Sequence, residues 1–183
     1  MVKFELSNRN EIVTSTLEVK KSKFIAKVYY IENSEEAEAI IQQVRNQYKD
    51  ARHVVYAYML KSSGKFTDDK EPQGTAGKPI YSLLEKENLV NVLVIVIRYF
   101  GGILLGTGPL TRAYSTVAKE ALAKCEKKPY IEYAEGVLVC EYKDEDAIKR
   151  KLVSKKCVIN EIVRTDKVEI KYLKPKKQDT NEV

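Results

Sequence analysis

The feature that most constrains this fold is a run of six apolar residues, Val92–Ile97, that leads into a glycine-rich stretch. An unbroken apolar run is typical of a strand buried on both faces, so it predicts the centre of a sheet. Four glycines follow, and then a helix with a regular apolar stripe. The glycines are Gly101, Gly102, Gly106 and Gly108, and the stripe is Leu110, Ala113, Tyr114, Val117, Ala118, Ala121 and Leu122. We call Gly101–Gly108 the glycine segment.

The junction between the glycine segment and the helix has the pattern of an anion site. Pro109 suits the first helical position, and the free N–H groups of Leu110 and Thr111 would then favour an anion. Arg98 at the strand end and Arg112 in the first helical turn can add bidentate phosphate contacts. The segment matches neither the P-loop nor the G-x-G-x-x-G fingerprint. The alternative is that the glycines serve tight strand-to-helix packing and the arginines are solvated.

A long polar loop, residues 61–78, precedes the central strand, and loops of this length are often functional. Asp68, Asp69 and Glu71 carry the hard oxygen ligands that magnesium prefers. The simpler interpretation is a solvated acidic turn, and we expect neither a metal nor a cofactor. Later in the same loop, the backbone of four residues can form a nest for an anion: Gly74, Thr75, Ala76 and Gly77.

His53 is the only histidine, which excludes mechanisms that need two histidines and the common His-rich zinc sites. It follows Arg52 at the start of a predicted strand. As a general base it would need a nucleophile such as Thr75 or Ser115 nearby. The alternative is a partly buried, hydrogen-bonded histidine without a catalytic role.

The remaining pattern indicates an α+β protein. Alternation and apolar stripes predict strands at 11–20, 23–31 and 53–60, a helix from an Asn33 cap to about 49–50, and a short helix at 80–87. We expect a first domain over residues 1–126, with a sheet and helices on one face.

The second predicted domain, residues 127–183, has the order strand, helix, strand, strand. The segments are 130–142, 144–155, 157–164 and 167–173. This is three quarters of a ferredoxin-like β-α-β-β-α-β domain, without its last helix and strand. A basic cluster lies on the helix. It either complements the helix dipole or forms an RNA-binding surface. Its members are Lys149, Arg150, Lys151, Lys155 and Lys156.

Composition limits the classes of partner. The chain has 183 residues, of which 44% are hydrophobic and 32% charged, and its net charge of +6 permits contact with nucleic acid or ribosomes. No apolar run approaches the roughly 20 residues that span a bilayer, so we expect no membrane partner. The N-terminus shows no signal-peptide pattern, so we expect a cytoplasmic location.

Four stretches between Lys20 and about Leu122 resemble the IMPACT family, and in particular its bacterial YigZ-type members. They are KSKFIA, DARHVVYAY, DDKEPQGTAGKP and VIRYFGGILLGTGPLTRAY, in this order. The resemblance implies a first domain similar to the second domain of a small-subunit ribosomal protein. It also implies a second domain similar to the ferredoxin-like last domain of elongation factor G. Eukaryotic members regulate translation by binding a partner of an initiation-factor kinase.

These observations favour a non-enzymatic, translation-linked binding protein that contacts RNA or a ribosomal component through an arginine-flanked, glycine-rich cleft. A regulatory protein is the other expected partner. A simpler hypothesis is that the chain is only a protein-interaction module that uses the same surface. The alternative is an enzyme or binder acting on a phosphorylated or nucleotide ligand at the same cleft. The residues predicted to form it are Arg52, His53, Asp68, Asp69, Glu71, Gly74, Thr75, Gly77, Arg98, Gly101, Gly102, Gly106, Gly108 and Arg112.

Overall fold

The run Val92–Ile97 lies in the central strand of a five-stranded sheet in the computed structural model, which describes residues 2–176. Contacts divide the chain into two units, with the boundary between Tyr130 and Ile131. The elements of the first unit are β1 (Phe4–Leu6), β2 (Val13–Val19), β3 (Ser22–Tyr30), α1 (Ser34–Gln47), β4 (His53–Met59), β5 (Gly64–Thr67), α2 (Gly77–Lys86), β6 (Val92–Tyr99), α3 (Thr107–Ala123) and β7 (Lys127–Pro129).

The five-stranded sheet has the order β2-β3-β6-β4-β5, and every neighbouring pair is antiparallel. The predicted central position of β6 is confirmed, since the strand is flanked by β3 and β4. β1 and β7 form a separate two-stranded sheet within the first unit. The sequence did not predict β1 or β7, and β5 lies inside the stretch predicted to be a loop.

The α+β class is confirmed, but the expectation of helices on one face is wrong. α2 and α3 pack on one face of the sheet, where Val92, Val94 and Val96 point. α1 packs on the opposite face against Leu93 and Ile95. The reason is the apolar run itself: because every position of β6 from Val92 to Ile97 is apolar, both faces of the sheet have to be covered.

The Asn33 cap of α1 is confirmed. Its side-chain oxygen accepts a hydrogen bond from the Glu36 N–H at 2.8 Å. The Glu36 carboxylate in turn accepts from the Glu32 N–H at 2.8 Å, one residue before the position expected in a capping box. The start of α1 is therefore closed by side chains, whereas Gly106 at the start of α3 supplies none.

The second unit contains β8 (Tyr133–Cys140), a short 3₁₀ turn (Tyr142–Asp144), α4 (Glu145–Ser154), β9 (Val158–Arg164) and β10 (Val168–Pro175). Its antiparallel sheet has the order β8-β10-β9. This is the arrangement of the first three strands of a ferredoxin-like domain, in agreement with the predicted β-α-β-β order. A small core joins α4 to the sheet through Cys140, Leu152, Cys157, Val168 and Ile170. The cysteines are free and serve as small apolar residues.

Among residues 2–176, no helix has both the length and the apolar character that crossing a membrane requires.

Lowering the pH should destabilise the second unit through Glu145. Hydrogen bonds from Arg164 and then from Lys149 lower the pKa of Glu145 from 4.5 to about 2. Because the folded-state pKa is depressed, this stabilisation is complete above pH 4.5 and is lost as the pH falls toward about 2. Urea titrations followed by the NMR signals of β8–β10, at about pH 5.5 and about pH 3, should give a lower midpoint at the acid pH. In Glu145→Gln that pH difference should shrink, and an unchanged difference would contradict the assignment.

Candidate functional site

The predicted site residues collect at one end of the five-stranded sheet. In the antiparallel register, Arg98 near the end of β6 lies opposite His53 on one side and Phe24 on the other. This pairing brings together the start of β4, the start of β3 and the entry to the glycine segment. The polar loop joins them because the Asp69 carbonyl contacts His53.

A buried charged cluster lies at the centre of this end. The Glu71 Oε1 atom accepts hydrogen bonds from Arg98 at 2.5 Å and from the Tyr114 hydroxyl at 2.8 Å. The His53 Nε2 atom is 3.7 Å from the same oxygen. The side chains of Glu71, Arg98 and His53 are 4%, 6% and 9% exposed, so water does little to screen their interactions. We call His53, Glu71, Arg98 and Tyr114 the buried cluster.

The second ring nitrogen of His53 donates a hydrogen bond to the polar loop. Nδ1 lies 2.7 Å from the Asp69 carbonyl oxygen, and since a carbonyl can only accept, Nδ1 donates. The Asp69 carboxylate accepts from the Val54 N–H at 2.6 Å. Asp69 and Lys70 have φ values of +41° and +68°, so a left-handed turn brings this loop against β4. Asp69 therefore fastens the loop to the sheet.

Tyr114 belongs to the site although the sequence placed it only in the apolar stripe of α3. Burial raises its pKa well above the usual value, and the neighbouring Glu71 raises it further. The hydroxyl therefore stays protonated and donates to Glu71. A signal was present: a buried tyrosine among small aliphatic residues requires a partner for its hydroxyl.

The predicted anion nest is filled by a side chain of the protein itself. The Asp68 carboxylate accepts from the N–H groups of Gly74 at 2.7 Å, Ala76 at 3.0 Å and Gly77 at 2.8 Å. The hypothesis that this nest receives an outside anion is therefore wrong. Within the described residues, no cluster of His, Cys, Asp or Glu has the arrangement of a metal site.

The glycine segment packs closely at its start and is open at its end. The Gly101 N–H donates to the Ser22 hydroxyl at 3.2 Å, and a Cβ atom on Gly101 would overlap the Lys21 backbone. Gly102 and Gly106 both have φ of +80°, which glycine adopts readily. Apart from chain neighbours and, for Gly108, the backbone of its own helix, no described atom lies within 4 Å of a Cβ built on Gly102, Gly106 or Gly108.

The predicted start of the helix after this segment is wrong by two residues. α3 begins at Thr107, so Pro109 is its third residue. The Leu110 N–H donates to the Gly106 carbonyl at 3.1 Å and is not free for a ligand. The glycines allow the extra half-turn of helix before the proline.

The two candidate nucleophiles have other partners. The Thr75 hydroxyl donates to the Pro72 carbonyl at 2.6 Å, and the Ser115 hydroxyl donates to the Thr111 carbonyl at 2.9 Å. The His53 Nε2 atom faces Glu71 instead of either hydroxyl. His53 therefore activates neither of these two hydroxyls as a nucleophile.

The outer surface at this end of the sheet is basic. Arg52 is exposed and its guanidinium lies 5.2 Å from the centre of the Phe100 ring. Arg112 is exposed on the second turn of α3. Within residues 2–176 six exposed cations here have no ion-pair partner; we call them the basic rim. They are Lys20, Lys21, Lys23, Arg52, Lys70 and Arg112.

The predicted site residues therefore divide into groups. His53, Glu71 and Arg98 meet in the buried cluster, and Arg52 and Arg112 lie on the surface. The others brace the loop or shape the glycine segment: Asp68, Asp69, Gly74, Thr75, Gly77, Gly101, Gly102, Gly106 and Gly108.

The fold and these motifs define the class of the protein. Residues 20–122 match the family model of the Impact N-terminal domain, and this stretch contains the buried cluster and all the predicted site residues. Since the match covers more than half of the chain, the protein belongs to the IMPACT family.

Particular relatives support this membership. The chain is 38% identical over 135 residues to IMPACT family member YigZ of Escherichia coli (strain K12), a match that covers 71% of this chain and 66% of the relative. It is 45% identical to Protein IMPACT of Oryctolagus cuniculus over 60 residues, or 31% of this chain and 19% of the relative. The match therefore spans just under two thirds of the length of YigZ.

A solved structure shares the fold of most of the chain. It is the crystal structure of a hypothetical protein, with a TM-score of 0.71 and 31% sequence identity. The match covers 95% of this chain and 85% of that one.

Proposed function

We propose that this protein is a non-enzymatic, translation-linked binding protein that contacts RNA through the basic rim. The observation that carries the proposal is the set of six exposed cations at one end of the sheet, none of them in an ion pair within residues 2–176. Unpaired cations are available to neutralise phosphates, which is the main source of affinity for nucleic acid.

The stack of Arg52 on Phe100 adds a feature that suits single-stranded RNA. The two groups lie 5.2 Å apart, measured from the guanidinium carbon to the ring centre. Aromatic rings and guanidinium planes both stack on unpaired bases, with little preference for sequence. The rim therefore combines phosphate contacts with a stacking surface.

The buried cluster supports this surface instead of reacting. Glu71 is bonded to Arg98 and Tyr114, and Arg98 also approaches the Ser22 hydroxyl at 3.5 Å. These contacts join β3, β6, α3 and the polar loop, the elements that carry or adjoin rim residues. A rigid scaffold lowers the entropy lost on binding.

Membership of the IMPACT family supports the link to translation. The resemblance described above is to a family whose eukaryotic members regulate translation. Two findings weaken the alternative of a phosphorylated or nucleotide ligand in the glycine-rich cleft. The Asp68 carboxylate already occupies the backbone nest, and the Leu110 N–H is bonded to Gly106. We therefore favour an extended RNA strand along the rim.

Neutralising two rim cations should weaken RNA binding and its dependence on salt. In Lys23→Gln/Arg52→Gln, fluorescence anisotropy with a labelled single-stranded RNA should show a loss of affinity of about tenfold. The negative slope of log K against log salt concentration should become less steep by about 1.4, since each lost phosphate contact removes about 0.7 from its magnitude.

A control with the same change in net charge is Lys86→Gln/Lys119→Gln, on exposed positions of α2 and α3 outside the rim. It should bind RNA nearly as well as the unaltered protein. Absence of RNA binding at low salt, or equal losses in both double variants, would overturn the proposal. Complete displacement of RNA by a mononucleotide with magnesium would favour the alternative ligand.

A further inference from the structure

Two consecutive apolar residues, Ile103 and Leu104, are exposed in the middle of the glycine segment, and we call them the apolar tip. Leu104 is 86% exposed, more than any other large apolar side chain among residues 2–176, and Ile103 is 43% exposed. Single exposed apolar residues are common on protein surfaces and need no explanation. Two in succession, with one of them largely in contact with solvent, favour a surface that a partner covers.

The apolar tip is anchored on both sides. Before it, the Gly101 backbone packs so closely against the Lys21 backbone that a Cβ atom on Gly101 would overlap it. After it, Leu105 is 7% exposed and belongs to the main core of the first unit. Only residues 102–104 span the distance between these anchors, so the tip loses little conformational entropy when a partner covers it. The chain buries Leu105 and leaves Leu104 outside, and Leu104 therefore contributes little to the stability of the fold.

The basic rim adjoins the base of the apolar tip. The close packing of Gly101 places the turn of Lys20 and Lys21 beside the start of the tip. Phe100, which stacks with Arg52 at 5.2 Å, directly precedes Gly101. Both lysines have positive φ values, +46° and +65°, a conformation that costs energy in residues other than glycine. The tip thus lies beside the cations and the stacked pair to which we assign RNA phosphates and bases.

An apolar side chain on a cationic surface suits the space between two bases. Leucine and isoleucine act as wedges in complexes with nucleic acid, where they enter a base step and partly unstack it. Insertion costs the stacking energy of that step, so it is most favourable where neighbouring bases stack weakly. Uracil has a smaller ring system than adenine and stacks less strongly on its neighbours. A wedge therefore favours uridine-rich strands over adenosine-rich ones.

We propose that the apolar tip inserts between neighbouring bases of a single RNA strand and thereby selects weakly stacked, uridine-rich segments. The inference rests on the RNA binding proposed above and adds a contact that depends on the bases. The cations of the basic rim hold the phosphates of the strand, and Leu104 occupies the opened base step.

The test measures the affinity of the full chain for two labelled strands of about 12 nucleotides, one of uridine and one of adenosine. Leu104→Ser should weaken binding of the uridine strand by about tenfold and of the adenosine strand by less than about twofold, because the wedge enters only the weakly stacked strand. The slope of log K against log salt concentration should stay unchanged, since the substitution removes no charge. Leu104→Met keeps an apolar side chain of similar size and should bind the uridine strand within about twofold of the unaltered chain.

A matched control is Ile12→Ser. Ile12 is 55% exposed and lies at the end of β2 opposite the turn of Lys20 and Lys21. The substitution makes the same kind of change from apolar to polar at an exposed position away from the tip. It should leave the affinity for both strands within about twofold of the unaltered chain.

Three outcomes would overturn the inference, and they separate it from the proposed function. If Leu104→Ser weakened both strands equally or neither, while Lys23→Gln/Arg52→Gln still weakened binding, the wedge would fail and RNA binding at the basic rim would stand. Absence of binding of either strand at low salt would overturn both proposals. If the chain bound vesicles of anionic phospholipid and Leu104→Ser abolished that binding without changing RNA affinity, a membrane surface would be the partner of the apolar tip.

Discussion

Replacing Glu71 with alanine should lower the free energy of unfolding of the first unit by about 3–5 kcal/mol. The substitution leaves the Arg98 guanidinium buried without its carboxylate partner, and it removes the acceptor of the Tyr114 hydroxyl. Among residues 2–176 the Arg98 Nε atom has no hydrogen-bond partner, so the guanidinium has little other compensation. Urea unfolding followed by circular dichroism measures this loss.

Two further variants separate charge from shape. Glu71→Gln keeps an acceptor of similar size and should lose less, about 1–3 kcal/mol. Adding Arg98→Met to Glu71→Ala removes the uncompensated charge and should recover part of the stability lost in the single variant. If the free energy of unfolding of Glu71→Ala lay within about 1 kcal/mol of that of the unaltered protein, the buried cluster would not have the structural role assigned to it.

The centre of the fold could be predicted because its signal is local. The apolar run of β6 predicts a strand buried on both faces, and the apolar stripe of α3 predicts the buried side of that helix. Both predictions are confirmed. The face on which α1 packs could not be predicted from α1 alone, whose stripe shows only that one side is buried. The apolar run of β6 indicates that both faces of the sheet are covered, because alternate residues of a strand face opposite sides of the sheet.

Three members of the buried cluster, His53, Glu71 and Arg98, could be singled out from the sequence, but their contacts could not. Glu71 and Arg98 are 27 residues apart, and the contact between them depends on the register that sets Arg98 opposite His53. Such pairings are fixed by the whole sheet. Tyr114 was assigned to the core by its helical spacing, which carries no information about its hydroxyl.

The polar loop shows a second limit of local patterns. Its glycines and N–H groups predict an anion correctly, but they do not say which anion. Asp68 lies only six residues before Gly74, close enough to fold back and serve as that anion itself. An acidic residue shortly before a glycine-rich turn is therefore a competitor to any proposed ligand.

Alanine at Gly101 and alanine at Gly108 should have effects of very different size, although both glycines belong to the same segment. At Gly101 a methyl group would overlap the carbonyl carbon and oxygen of Lys21, which are backbone atoms and cannot rotate away. We expect a loss of about 3 kcal/mol in the free energy of unfolding. Gly108 lies in α3, and apart from its chain neighbours and the helix's own backbone no described atom lies within 4 Å of its added Cβ. Alanine there should change the free energy of unfolding by less than about 1 kcal/mol, because the gain in helix propensity is opposed by crowding against the following Pro109.

Urea unfolding of the two variants gives the comparison, and RNA affinity gives an independent one. The turn that Gly101→Ala displaces carries Lys20 and Lys21 of the basic rim, so this variant should also bind RNA more weakly. Gly108→Ala leaves that turn in place and should bind as the unaltered chain does. Equal stability changes at the two positions would show that the close approach of Gly101 to the β2–β3 turn does not hold in solution, and the rim would lose its structural support.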